Sequence, residues 1–158
     1  MKNQGAYVKK ELKIELREIN KKNFRECIRL SVAESQRKFV ASNMYSLAEA
    51  KADGVSNPLA IYADDQMVGF TMYCYEPDSR IGYIDRLMVG AEYQGQGYGR
   101  AAMAEVITRL RNTPGCQKIR TSYEPTNEVA AGLYESLGFR ITGEIDEGEV
   151  VTVLDCSG

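Results

Sequence analysis

"YQGQGYGRAAM", Tyr93 to Met103, sets glycines at 95, 97 and 99 directly ahead of a run of helix-forming residues. Glycine weakens a helix start unless bare backbone is needed there. A helix N-terminus carries unpaired N–H donors and roughly half a positive charge, an arrangement suited to anions. With no Cβ in the way a large anion reaches the backbone, so the stretch predicts a phosphate-bearing ligand. It is not a dinucleotide fingerprint, because the residue three after Gly97 is Arg100. It is not a P-loop either, because Gly-Lys-Ser and Gly-Lys-Thr are absent. On spacing alone, a glycine-rich turn used only for chain geometry stays open.

The flanks place this loop between a strand and a helix. Upstream, "LAIYA", "MVGFTMYCYE" and "IGYIDRLMV" read as three strands of an antiparallel meander, turning at Asp64-Asp65-Gln66 and at "PDSR". Downstream, Met103, Val106, Ile107 and Leu110 repeat at helical spacing up to Pro114-Gly115. "KIRTSY" alternates as a strand. "NEVAAGLYESLG" is a helix capped by Asn127 and closed by Gly138, and "FRITGEI" and "EVVTVL" form a last hairpin. Nearer the amino terminus, Leu12, Ile14 and Leu16 of "ELKIEL" share a strand face. Asn20 is positioned to cap a helix with the stripe Phe24, Cys27, Ile28 and Val32. Ser46 and Glu49 form a capping box for a second helix ending near Gly54. The order β-α-α-β-β-β-α-β-α-β-β predicts a mixed α/β fold, mostly antiparallel, with one β-α-β crossover. Residues 1–10 are expected to be a frayed tail and 11–158 a single domain.

Composition narrows the function. The 158 residues suffice for one substantial core, and 27% charged residues exclude a membrane-embedded chain. A formal charge of −2 gives no global field for nucleic acid. "MKNQGAYVKKELK" has lysines but no apolar run behind them, so no signal peptide or membrane span is expected and the cytoplasm is the expected location. The four cysteines form no C-x-x-C pair, so no metal site is expected. The absence of histidine removes Ser-His-Asp and Cys-His catalysis. Proton transfer is left to carboxylate, tyrosine, lysine, cysteine or water.

"QGQGYG" satisfies the Q/R-x-x-G-x-G/A signature of the GNAT superfamily of acetyl-CoA-dependent N-acetyltransferases. "NEVAAGLYESLGF" resembles that family's second motif through Asn127, Ala130, Leu133, Tyr134, Gly138 and Phe139. The resemblance covers roughly residues 11 to 154 and implies the GNAT fold, with helices on both faces of the sheet. One departure is Gly90-Ala91, where many members carry proline before the glycine loop. The resemblance further implies that the backbone from Gln94 through Gly95, Gln96, Gly97, Tyr98 and Gly99 to Arg100 cradles the coenzyme A pyrophosphate. Arg100 is either a phosphate contact or a solvent-facing helix arginine. Leu87, Met88 and Val89 would line the pantetheine arm, with Asn127 and Ala130 on its other side, in a gap where two strands splay apart. Tyr134 would be the general acid for the departing thiolate, and a backbone N–H near Leu87 or Met88 the oxyanion donor.

An alkylamine, with a pKa near ~10.4, must lose a proton before it attacks a thioester. Asp85 sits just ahead of the coenzyme-binding residues and by alternation shares a face with Tyr83 and Leu87. It is either the proton acceptor, directly or through water, or half of a salt bridge with Arg86 or Arg80. Glu124 is a second candidate.

"SVAESQRKFVASNMYSLAEAKAD", "YIDRLMV" and "GEIDEGEVV" are similar to bacterial spermine/spermidine acetyltransferases of the superfamily. This implies a polyamine acceptor, with Glu34, Glu76, Glu124 and Asp85 as carboxylates for its ammonium groups and Tyr83 along its methylenes. A protein α-amine, an aminoglycoside, another small amine, or a non-catalytic acyl-CoA-binding role remain the alternatives. A homodimer through the apolar strand "EVVTVL" is a further expectation.

Overall fold

The computed structural model describes residues 12–157. One seven-stranded sheet carries the fold. Its strands are β1 (Glu15–Glu18), β2 (Asn57–Ala63), β3 (Gln66–Glu76), β4 (Ile81–Val89), β5 (Lys118–Tyr123), β6 (Arg140–Asp146) and β7 (Glu149–Asp155), in the spatial order β1-β2-β3-β4-β5-β7-β6. Every pairing is antiparallel except β4 with β5, which the crossover helix joins in parallel. The helices are α1 (Phe24–Arg29), α2 (Asn43–Asp53), α3 (Tyr98–Arg111) and α4 (Glu128–Ser136).

Period-two alternation divides the central strands β2, β3 and β4 between two cores. On β2, Leu59 and Ile61 join Ala102, Met103, Val106, Ile107 and Leu110 of α3, together with Tyr134 of α4. Ala60 and Tyr62 point the other way, to Cys27 of α1 and Ala50 of α2. Both faces of the sheet are thus covered by helices. No helix among the described residues is long and apolar enough to cross a membrane.

Three local expectations are corrected. The first strand begins at Glu15 and leaves Leu12 exposed. The first helix spans only six residues, so Val32 lies beyond it. Asn20 builds a turn ahead of it, its side chain accepting from Lys22 N at 2.8 Å, and Asn23 is the N-cap residue. The second helix starts one turn before the expected capping box. Ser42 caps it, accepting from Tyr45 N at 3.1 Å, while Ser46 is fully buried inside the helix. The reason is tertiary: buried Asn43 donates to the Cys27 carbonyl at 2.9 Å and ties α2 to α1.

The terminal hairpin forms as expected, but its last strand is not the edge that a dimer through "EVVTVL" would need. The strand containing "EVVTVL" is flanked by β5 on one side and β6 on the other, so both of its edges are paired. The free edge belongs to β6, which is exposed along its whole length.

Gly69 of β3 lies opposite Val89 of β4. A Cβ there would sit 2.4 Å from the Met88 carbonyl oxygen, a backbone atom that cannot move aside cheaply. Gly69→Ala is expected to destabilise the protein by about 1–3 kcal/mol, read as a lower urea midpoint with an unchanged m-value.

Candidate functional site

The site begins where two strands part. β4 and β5 pair only at Ile81–Lys118, Gly82–Ile119 and Tyr83–Arg120. Beyond Tyr83, β4 runs on to Val89 with β3 on one edge and no strand on the other. Thr121 of β5 stands at the fork and donates its hydroxyl proton to the Ile84 carbonyl at 3.0 Å. The opening widens into a cavity of about 1230 Å³ walled by β4, the glycine loop, α4, the end of β5 and the β6–β7 turn. This exceeds the ~300–1,000 Å³ usual for a drug-sized ligand. A shallower hollow of about 520 Å³, between Leu12–Ile14 and the outer side of α3, has none of these features.

At one end of the cavity lies the glycine loop. Gly95 and Gly97 hold φ of 77° and 89°, left-handed conformations that a side chain disfavours, and Gly97 is the N-cap of α3. No described residue accepts a hydrogen bond from the backbone N–H groups of Gly95 to Arg100. Several donors at the head of a 14-residue helix therefore face the cavity unpaired, and they fit a diphosphate. Gln94 braces the loop. Its amide donates to the Val89 carbonyl at 3.0 Å and exchanges two hydrogen bonds with Gln36. Gln96 is exposed and lies outside the cavity wall. Arg100 donates to the Ser136 hydroxyl, so it bridges α3 to α4 and is not simply solvent-facing.

Across the cavity stands α4. Asn127 caps it by accepting from Ala130 N at 3.2 Å, and Asn127 and Ala130 both line the wall. Tyr134, on the same helix, is buried against Tyr123 and Phe139, with ring centroids 6.0 and 5.8 Å away. Burial is the main cause pushing its hydroxyl pKa above the usual tyrosine value. A hydrogen bond with Thr121 works against that, and the charge of Glu149 adds to it. Such a hydroxyl keeps its proton through the neutral range.

The β4 wall differs from simple alternation. Met72 of β3 pairs with Arg86 and Tyr73 with Ile84, so Asp85 is an extra residue in a β-bulge. The Thr71 hydroxyl closes the bulge by donating to the Arg86 carbonyl at 2.8 Å. The side-chain phase shifts there. Ile84 and Leu87 both pack toward α3, whereas Met88 packs toward α1 and α2. The expectation that Asp85 shares a face with Leu87 is corrected. Asp85 is instead on the α2 side, its Oδ2 3.7 Å from Cys74 Sγ. Burial is the leading cause raising its pKa above the ordinary carboxylate value; Arg86 opposes this, and Glu49 and Asp53 reinforce it. Burial also pushes the Cys74 thiol up to about 12, so it stays a neutral donor beside Asp85.

The expected salt bridge of Asp85 with Arg86 or Arg80 is not formed. Arg86 reaches Glu49 on α2 at 2.7 Å and touches only the backbone carbonyl of Asp85. Tyr83, Asp85 and Glu124 line the cavity, but Glu34 and Glu76 do not. Glu76 is engaged instead by the Ser79 and Tyr83 hydroxyls. The sequence reading missed Arg120, Ser122 and Glu149. Arg120 binds Glu144 and Asp146, and Ser122 donates to Glu149 at 3.0 Å. Strand alternation places Arg120 and Ser122 together on one face of β5. Only the pairing of β5 with β7 brings Glu149 to them.

Residues 14–139 match the Acetyltransferase (GNAT) family. The chain is 30% identical over 149 residues to a Bacillus subtilis protein described as a spermine/spermidine N(1)-acetyltransferase, covering 90% of this chain and 98% of the relative. Among solved structures it resembles a spermidine N-acetyltransferase from Vibrio cholerae in complex with CoA and spermine. That match has a TM-score of 0.74 at 16% identity, over 91% of this chain and 96% of the other. It also resembles an aminoglycoside acetyltransferase in complex with coenzyme A and kanamycin, with a TM-score of 0.76 at 19% identity, over 90% and 95% of the two chains. Free donors at the glycine loop, a strand edge left open by the fork and a buried tyrosine beneath it fit acetyl-coenzyme A, and with these matches the chain belongs to the GNAT family as an acetyl-CoA-dependent N-acetyltransferase.

Proposed function

We propose that this enzyme acetylates a polyamine of the spermidine type. The observation that carries the reading is a set of wall carboxylates without counter-charges. Asp85, Glu124 and Glu149 line the cavity, and none has an ion-pair partner among the described residues. The arginines of β4 and β5 beside them are already paired, Arg86 with Glu49 and Arg120 with Glu144 and with Asp146, which also lines the cavity. Unpaired carboxylates in a partly enclosed space favour a ligand bearing several positive charges. The likeness to the Bacillus relative, over nearly the full length of both chains, supports the same acceptor class.

The thioester supplies an activated acetyl carbonyl. Around it, this chain's residues manage protons. Asp85, with its raised pKa, takes one proton from the acceptor's ammonium, directly or through water, which frees the nitrogen lone pair. Tyr134 holds the proton that the departing sulfur needs, and regains one from the newly acylated nitrogen. Leu87 to Val89 offer backbone groups along the open strand edge, and the N–H groups of Gly95 to Arg100 anchor the phosphates. Tyr83 borders the path of the acceptor.

Three outcomes test this reading. Thiol release over a panel of spermidine, spermine, an aminoglycoside, a peptide α-amine and simple alkylamines is expected to be fastest with the polyamines. Turnover of another class with silence for both polyamines removes the assignment. Tyr134→Phe is expected to bind coenzyme A as the wild type does and to lose about 10²-fold or more in kcat; unchanged kcat removes the acid. Gly97→Ala should weaken coenzyme A binding about tenfold by calorimetry, because alanine costs about 1–2 kcal/mol in the left-handed region.

A further inference from the structure

Asp85 and Arg86 are neighbours at the β-bulge of β4, and the bulge turns both toward α2, where Arg86 meets Glu49. The Asp85 carboxylate is the acid adjacent to Arg86 in sequence, yet the guanidinium does not bind it. Nη2 bonds Glu49 Oε2 at 2.7 Å, and Nη1 donates to the backbone carbonyl of Asp85 at 2.9 Å. Nε is left buried with no hydrogen-bond partner. An unsatisfied buried donor is unfavourable. The guanidinium holds this position because Glu49 draws it there.

We propose that Glu49 is a positioning residue: by engaging Arg86 it keeps the Asp85 carboxylate out of an ion pair and open to the acceptor's ammonium. The proposal rests on the reading that Asp85 serves the acceptor amine. Asp85 is faced by Cys74 from β3, Arg86 from its own strand, and Glu49 and Asp53 from α2. Tyr83, Arg37 and Lys38 share the same cavity wall. None of these besides Arg86 is a cation on the element that bears Asp85. Without Glu49 the side chain of Arg86 still has the Asp85 carboxylate, on the adjacent residue and already within reach of its charge, as an alternative anion. Pairing there would hold Asp85 ionised, occupy its oxygens, and set a fixed positive charge where a cationic substrate enters.

A double-mutant cycle read by NMR titration of the Asp85 carboxyl carbon, in protein without ligand, tests this. Glu49→Gln is expected to lower the Asp85 midpoint by about one pH unit or more, as an arriving cation does. The acid limb of kcat/KM should move down with it, and kcat/KM should fall about tenfold. Glu49→Asp should stay close to the wild type, since it can still pair with Arg86. In an Arg86→Gln background, or Arg86→Met where that is the better folded, Glu49→Gln should move the midpoint far less. An equal drop in both backgrounds overturns the proposal, since only through-space charge would then be at work. No drop in either overturns it as well. The underlying reading fails separately: if Asp85→Asn leaves turnover of every amine unchanged, Asp85 is not the acceptor-side base. The titration cycle still reports whether Glu49 restrains Arg86.

Discussion

The parting of β4 from β5 after three residue pairs is the constraint on which this enzyme depends. A sheet normally satisfies its backbone groups by continuous pairing, so a strand edge left open inside a sheet must be met by something else. Here the fork is held by one side chain, Thr121, whose hydroxyl occupies the Ile84 carbonyl, and the far end by Gln94 on the Val89 carbonyl. The edge between them lies open to the cavity. The crossover helix α3 begins at the end of that edge with its N–H donors unpaired. One topological feature, a parallel pair that splays, thereby sets an open strand edge and a group of free N–H donors side by side on one cavity. Tyr134 and Thr121 line the same cavity at this fork.

Charge placement follows a similar economy. The cavity wall contains both signs, but the arginines of β4 and β5 are held in ion pairs, Arg86 with Glu49 and Arg120 with Glu144 and Asp146. Asp85, Glu124, Glu147 and Glu149 are left on the wall without ion-pair partners among the described residues. Burial and the nearby carboxylates of α2 raise Asp85, which suits a group that must exchange a proton with an amine. Tyr134 is raised mainly by burial and so retains the proton it has to give. The two groups are shifted in the same direction by the same leading cause, from starting points of about 4 for an ordinary carboxylate and about 10 for an ordinary tyrosine.

The resemblance of "NEVAAGLYESLGF" to the family's second motif singles out Asn127, Ala130 and Tyr134, while helical spacing supplies only the helix, and all three line the cavity. Sequence reasoning found the glycine loop because the left-handed conformations at Gly95 and Gly97 need that residue. It erred where a local rule met a tertiary demand. The capping box at Ser46 and Glu49 is well formed on paper. In the folded chain Glu49 is drawn to Arg86, and α2 begins a turn earlier because Asn43 ties it to α1. Strict alternation put Leu87 with Asp85, and the bulge at Asp85 separates them.

By itself the sequence determined the mixed α/β order of elements, the glycine-led helix start and the tyrosine motif. Those signals are local, set by side-chain periodicity and by backbone conformations that few residues tolerate. Only the tertiary structure decided which carboxylates face the acceptor, which arginines are spent on other partners, and that β7 lies inside the sheet with β6 at its edge. These depend on pairings between residues far apart in the chain, such as Arg86 with Glu49 and Ser122 with Glu149. A one-residue bulge is enough to exchange the faces of everything beyond it, and no local pattern in "YIDRLMV" announces one.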